Sequence, residues 1–155
     1  MLDLGMHPAI PPERWELQIF GAVQNRVRWN WSQFRSLKQS RDVSDIHCVT
    51  SWSRYDNQWD GVLTQDLLAA VLPKPEARFV LLQSYDGYTT NLDLADFAAE
   101  GAILAHSWQG APLTEAHGGP VRLVLPHLYF WKSAKWLQRI EFRTTDRQGF
   151  WEDRG

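Results

Sequence analysis

Polar and apolar residues alternate along Arg14-Trp15-Glu16-Leu17-Gln18-Ile19-Phe20, and again along Leu137-Gln138-Arg139-Ile140-Glu141-Phe142. A period of two places the apolar side chains on one face of an extended strand. Gly21 breaks the first strand, and Val27-Arg28-Trp29 can pair back across a turn near Gln24-Asn25. Between these ends the strands stay short and the punctuation frequent. Strands are expected at Val43 to Val49, Ala77 to Gln83, Ala102 to Trp108 and Val121 to Leu125, the Ala77 run being apolar enough for burial on both faces. Asp86-Gly87 reads as a hairpin turn between Tyr85 and Tyr88. Three short helices are expected: Trp31 to Leu37 capped by Asn30 or Ser32, one opened by Thr64 as its cap and stopped by Pro73, and Asp93 to Ala99 ahead of Gly101. Gln39 to Asp42 and Ser51 to Gly61 read as polar loops, and Leu137 to Phe142 as the strand that closes the sheet. About eight strands against three helices, with no βαβ rhythm, define an α+β fold: a single, mostly-β mixed domain over residues 1–155.

Composition removes several classes of function. Sixteen basic and eighteen acidic residues are well mixed, for a net charge of −2, which speaks against a nucleic-acid surface. One cysteine makes no internal disulfide, so a disulfide-stapled secreted scaffold is excluded. The longest clean apolar run near a helix, Leu67 to Leu72, is far too short for a membrane span. The sequence as given shows no signal peptide, and the expected location is the cytoplasm. Nine tryptophans fit either a ring-rich core or a stacking surface. Without a repeat or a basic stripe to accompany them, the core is favoured.

The lone thiol, Cys48, stands where the Val43–Val49 strand gives way to a polar, aromatic loop. Such a cysteine can be a packed small hydrophobe, a nucleophile or a metal ligand. A nucleophile needs a positioned base. The adjacent His47 would point to the opposite face of a strand, and nothing in the spacing brings His106, His117 or His127 to the thiol. Structural zinc wants four ligands in paired spacings, which one Cys and scattered His do not supply. A soft metal whose remaining sulfurs come from an organic dithiolene needs only one protein thiolate. Two further stretches, Gly118-Gly119-Pro120-Val121-Arg122 and Lys132-Ser133-Ala134-Lys135, would each pass alone as a turn and a solvated basic patch. Together they offer close-approach glycines, backbone amides, a hydroxyl and cations, the groups that hold a phosphate.

The stretches Asp45 to Ser53, Trp59-Asp60-Gly61-Val62, Asp86-Gly87-Tyr88-Thr89-Thr90-Asn91 and His117 to Lys135 resemble, in the same order, those of the sulfite oxidase-type molybdopterin oxidoreductase domain. The small bacterial sulfite oxidase-like proteins are similar over nearly the whole chain, and the periplasmic methionine sulfoxide reductase catalytic subunit is more distantly so. The resemblance implies one molybdopterin with molybdenum, bound in a mixed α+β domain. It implies that Cys48 is the metal ligand and the catalytic position. Ser84, His117, Arg122, Ser133, Ala134 and Lys135 are then expected to bind the cofactor, although the methionine sulfoxide reductase has Asn in the place of His117. Trp52 and Tyr88 are candidate walls of a substrate pocket. The implied activity is oxygen-atom transfer to or from a small-molecule substrate, sulfite or a sulfoxide-like compound, with an external electron-transfer protein as partner, since no heme or flavin motif is visible. Sulfite oxidases carry paired arginines shortly after the cysteine. Here the run Val49 to Arg54 holds one arginine and a tryptophan, which weakens the expected field for sulfite. Relatives usually extend beyond both Met1 and Gly155, so short terminal segments are expected to be missing. The readings set against this one are a cofactor-free relative acting as a binding module, and a cysteine hydrolase.

Overall fold

The computed structural model describes residues 9–45, 56–125 and 134–144. Ten strands, three short α-helices and two 3-10 turns make up the described residues. β1 (Glu16–Gly21) and β2 (Val27–Asn30) form the expected antiparallel pair, with Leu17 opposite Trp29. α1 (Trp31–Ser36) follows directly. Asn30 caps it in a reciprocal box: the Gln33 amide donates to Asn30 Oδ1, and the Asn30 amide donates to Gln33 Oε1. Phe34 is the side chain α1 buries.

Two sequence expectations give way next. The polar stretch Gln39 to Asp42 is in large part strand, β3 (Ser40–Asp45), and the polar stretch before Gly61 is β4 (Asp56–Leu63) from Asp56 onward. Side-chain polarity does not oppose pairing here, because the backbone ladder between Ser40–Asp45 and Asp56–Gly61 supplies the contacts. α2 (Thr64–Val71) starts at Thr64 but is not capped by it. The Thr64 side chain is fully buried and donates its hydroxyl to the Phe97 carbonyl, tying α2 to α3 (Leu94–Phe97). α3 is shorter than the Asp93–Ala99 expectation, and Gly101 turns the chain beyond it at φ 86°.

β5 (Phe79–Ser84) and β6 (Thr89–Asp93) flank the predicted hairpin. Gly87 sits at φ 93°, and Asp86 Oδ1 accepts from the Tyr88 amide. β5 alternates half-buried and buried residues, so one face and not both is sealed. β7 (Ile103–Trp108), β8 (Ala111–Pro112), β9 (Arg122–Val124) and β10 (Leu137–Arg143) complete the set.

The strands form two sheets. The first runs β2-β1-β10-β5-β6, and β10, the strand expected to close the sheet, lies in its middle, parallel to β1 and antiparallel to β5. The second runs β3-β4-β7, with β8 and β9 both on the far edge of β7. The main core lies among Leu17, Ile19, Val80, Leu82, Ile140 and Phe142 of the first sheet and Val62, Leu104 and Leu123 of the second, joined by Leu67, Val71 and Phe97 from the helices. A smaller cluster, Trp59, Ile103, Ala105 and Val124, occupies the other face of the second sheet. The molecule is thus α+β and mostly β, as expected from its sequence.

Candidate functional site

Residues 134–137 leave the second sheet and enter the first, and they carry the site with them. The Leu123 amide donates to Ala134 O (2.8 Å), the Trp136 amide to Gly118 O (3.0 Å), the Leu137 amide to Val121 O (2.9 Å) and the Tyr85 amide to Trp136 O (2.7 Å). Leu137 also pairs in register with Ser84, the buried last residue of β5. This strap therefore draws together Ser84, Ala134, Lys135, Arg122 and the His117–Gly118 turn, which are distant in sequence. Trp136 takes φ 50° to make the crossing, and its indole donates to Glu115 O at 2.8 Å. Tyr88 stands exposed on the hairpin next to Ser84, whose amide donates to Tyr88 O. Cys48, Trp52 and Ser133 lie outside the described residues. The flanks of the Cys48 segment are described: Asp45 and Asp56 pair with each other at the end of β4 that also carries Trp59.

Arg122 is buried to 6% exposure on the same face of β9 as Val124. Its Nη1 donates to His117 O at 3.1 Å, and its guanidinium lies 5.7 Å from the centroid of the Trp59 ring. Burial presses its pKa down to about 10, so it stays charged at neutral pH. The Lys135 ammonium donates to Ala116 O (3.3 Å) and rests 5.9 Å from the Trp136 ring centre. Partial burial, and then the charge of Arg122, hold its pKa below the usual lysine value. Arg122 is buried and Lys135 partly so, and an anion bound between two such cations would relieve the cost of each. Gly118 keeps the stems of these side chains in place. At φ 100°, a Cβ there would stand 2.8 Å from Lys135 Cγ and 3.2 Å from Arg122 Cβ.

Aromatic rings extend the site toward its rim. His117 is exposed, bonded through Nδ1 to Thr114 Oγ1 at 2.8 Å, and stacked on Trp108 at 6.1 Å with the planes 24° apart. Trp108 leans on Trp59 at 6.3 Å. Trp59 Nε1 is buried without a hydrogen-bond partner among the described residues. Such a donor costs on the order of 1–3 kcal/mol if it is never satisfied. Neither Trp59 nor Trp108 is among the site residues expected from the sequence. Their proximity comes from the register of β4 on β7, which pairs Trp59 with Trp108, and that register shifts next to Asp60. The visible signs are the place of Trp59 in one of the stretches that carry the resemblance and a bulky ring directly before the Gln109-Gly110 turn. Among the described residues no group of three or more His, Cys, Asp or Glu is placed to hold a metal ion, and no helix is long and apolar enough to cross a membrane.

Comparison with known proteins gives a consistent picture. The family described as the oxidoreductase molybdopterin binding domain matches residues 4–151. The chain is 46% identical over 142 residues to the uncharacterized oxidoreductase YuiH of Bacillus subtilis, covering 92% of this chain and 72% of that protein. It is 31% identical over 147 residues to the protein-methionine-sulfoxide reductase catalytic subunit MsrP of Gluconobacter oxydans, covering 83% of this chain and 47% of the relative. The crystal structure of the sulfane dehydrogenase SoxCD from Paracoccus pantotrophus superposes with a TM-score of 0.78 at 18% identity, over 90% of this chain and 40% of that one, a likeness of fold. The chain spans most of the Bacillus protein but less than half of the other two.

Proposed function

The chain belongs to the oxidoreductase molybdopterin binding domain family, and on that footing we propose that it is a molybdenum-dependent oxidoreductase that moves an oxygen atom to or from a small substrate of the sulfite or sulfoxide type. The observation that carries this reading is the buried guanidinium of Arg122 beside Lys135, both packed against the His117–Gly118 turn. These residues fit a phosphate-bearing cofactor. They present two cations where desolvation favours an anion. The glycine between them leaves the space that a Cβ would fill.

In this reading Cys48 binds the metal. Ser84, His117, Arg122, Ser133, Ala134 and Lys135 seat the pterin and its phosphate, while Trp52 and Tyr88 wall the substrate pocket. When bound, the cofactor supplies a two-electron metal centre at which an oxygen atom is gained or lost. The chain's own residues bind and orient. Arg122 is anchored by its bond to His117 O and by the Trp59 ring, so it meets an anion with little rotamer freedom left to lose. Lys135 is held by Ala116 O and keeps donors to spare for a phosphate oxygen. Trp108 and His117 form a flat, exposed stack joined to this group through Trp59. Electrons then pass to or from an external redox protein; the description of the Gluconobacter relative as a catalytic subunit supports a division of this kind.

Metal and pterin analysis tests the proposal. Protein produced in a host that assembles molybdopterin is expected to carry stoichiometric molybdenum and to release the pterin on denaturation. A chain that emerges without either, while the host's other molybdoenzymes are loaded, would overturn it.

A further inference from the structure

Trp59 opens the stretch Trp59 to Val62, to which the seating of the cofactor gives no task. It is 5% exposed, and its Nε1 has no hydrogen-bond partner among the described residues. An indole N–H can only donate, and nearly every such buried group in folded proteins finds an acceptor. The surroundings say what kind of acceptor is missing. The Trp59 ring carries the Arg122 guanidinium 5.7 Å from its centroid and touches Trp108, and Trp59 lies three residues along β4 from Asp56, at the foot of the segment that holds Cys48. A second donor on a ring in contact with a buried cation favours an oxygen that bears negative charge.

We propose that the indole N–H of Trp59 donates a hydrogen bond to an anionic oxygen bound beside Arg122, making Trp59 a binding residue of the site. The inference rests on the molybdopterin reading, and two sources can supply the oxygen: the cofactor itself, or an oxyanion substrate next to it. In both cases the protein meets the ligand with a donor that is already desolvated and held by the Trp108 contact.

Protein labelled with 15N at the tryptophan indoles reports on this donor directly. The Trp59 resonance is assigned from Trp59→Phe, which keeps a ring and removes the N–H, or from its through-space contact with Trp108. If the cofactor is the source, the Trp59 indole proton moves downfield between cofactor-free and molybdenum-loaded protein. If an oxyanion is the source, it moves only when inorganic sulfate is added to the loaded protein. Trp59→Phe should then weaken the matching interaction, cofactor retention on dialysis or sulfate affinity, by roughly tenfold. A Trp59 resonance that holds one position through all three states, in protein shown to contain molybdenum, overturns the inference and leaves the molybdopterin reading standing. Protein that takes up no molybdenum in a competent host sinks both.

Discussion

His106 shows how a single side chain can be fixed by its neighbours. Its Nε2 meets Gln39 Oε1 at 2.9 Å and its Nδ1 meets Ser107 Oγ at 2.8 Å. The Gln39 amide nitrogen already donates to Phe34 O and Leu37 O, so its oxygen faces the imidazole. Nε2 therefore carries the proton and Nδ1 accepts from Ser107. Trp31 and Phe34 pack edge-on against the ring. Burial, then the charge of Arg35, lowers the pKa from 6.5 to about 4, with Asp60 pulling the other way. Between those values the unfolded chain binds the extra proton and the folded one does not, so stability falls as pH drops from 6.5 toward about 4. The loss should appear in chemical denaturation across that window, and His106→Gln should flatten that part of the profile. An unchanged profile in the variant would assign the acid sensitivity elsewhere. This environment also answers one open point of the sequence, since the ring sits sealed in the core and not at a reactive surface. Gly118 makes the second prediction at this scale. Gly118→Ala should cost about 1–3 kcal/mol through its left-handed backbone and, by displacing the Lys135 stem, should lower cofactor content more than the stability loss explains.

Among the elements, β10 bears the most consequence. It is paired on both sides, and Leu137, Ile140 and Phe142 are sealed from solvent. Ile140→Ala should destabilise the chain by about 2–5 kcal/mol, read as a shift in the denaturation midpoint at unchanged slope. Asn30→Ala removes the cap of α1 and should cost only about 0.5–2 kcal/mol. Local elements of this kind were legible in the sequence. The β1–β2 pair, the Asp86-Gly87 hairpin and the Asn30 cap each depend on residues close in the chain, and side-chain periodicity and turn chemistry report on those. The first halves of β3 and β4 were not legible, because Ser40-Arg41-Asp42 and Asp56-Asn57-Gln58 present no apolar alternation and pair through the backbone, whereas Val43 to Asp45 fall inside the expected Val43–Val49 strand, whose other residues lie outside the described ones. The central position of β10 was hidden for another reason. Its parallel pairing with β1 joins residues at opposite ends of the chain, and no short-range pattern encodes that choice. Thr64 tethers α2 and does not cap it, because a cap and a buried tether ask for the same hydroxyl.

At the scale of the whole molecule, the site exists because one strap stitches two sheets together. Ser84 ends a strand of the first sheet, Arg122 starts a strand of the second, and residues 134–137 bond to both. Ser84, His117, Arg122, Ala134 and Lys135 are each singled out in the sequence through resemblance, while the contacts that gather them are not written there. The Arg122–Trp59 and Trp108–His117 pairs follow from strand register and sheet packing. The net charge of −2 does not weigh against the proposed site, since an anion there would answer to the buried Arg122 and the partly buried Lys135 and not to the sum over the surface. The most direct test of the account lies at the one thiol. Cys48→Ser protein, produced in a cofactor-competent host and shown to fold by its denaturation profile, should hold clearly less molybdenum after dialysis than the wild type, since only the cofactor's own sulfurs then grip the metal, while Arg122 and Lys135 still give it a measurable hold on the pterin phosphate. A Cys48→Ser variant that keeps the wild-type complement of molybdenum would contradict it.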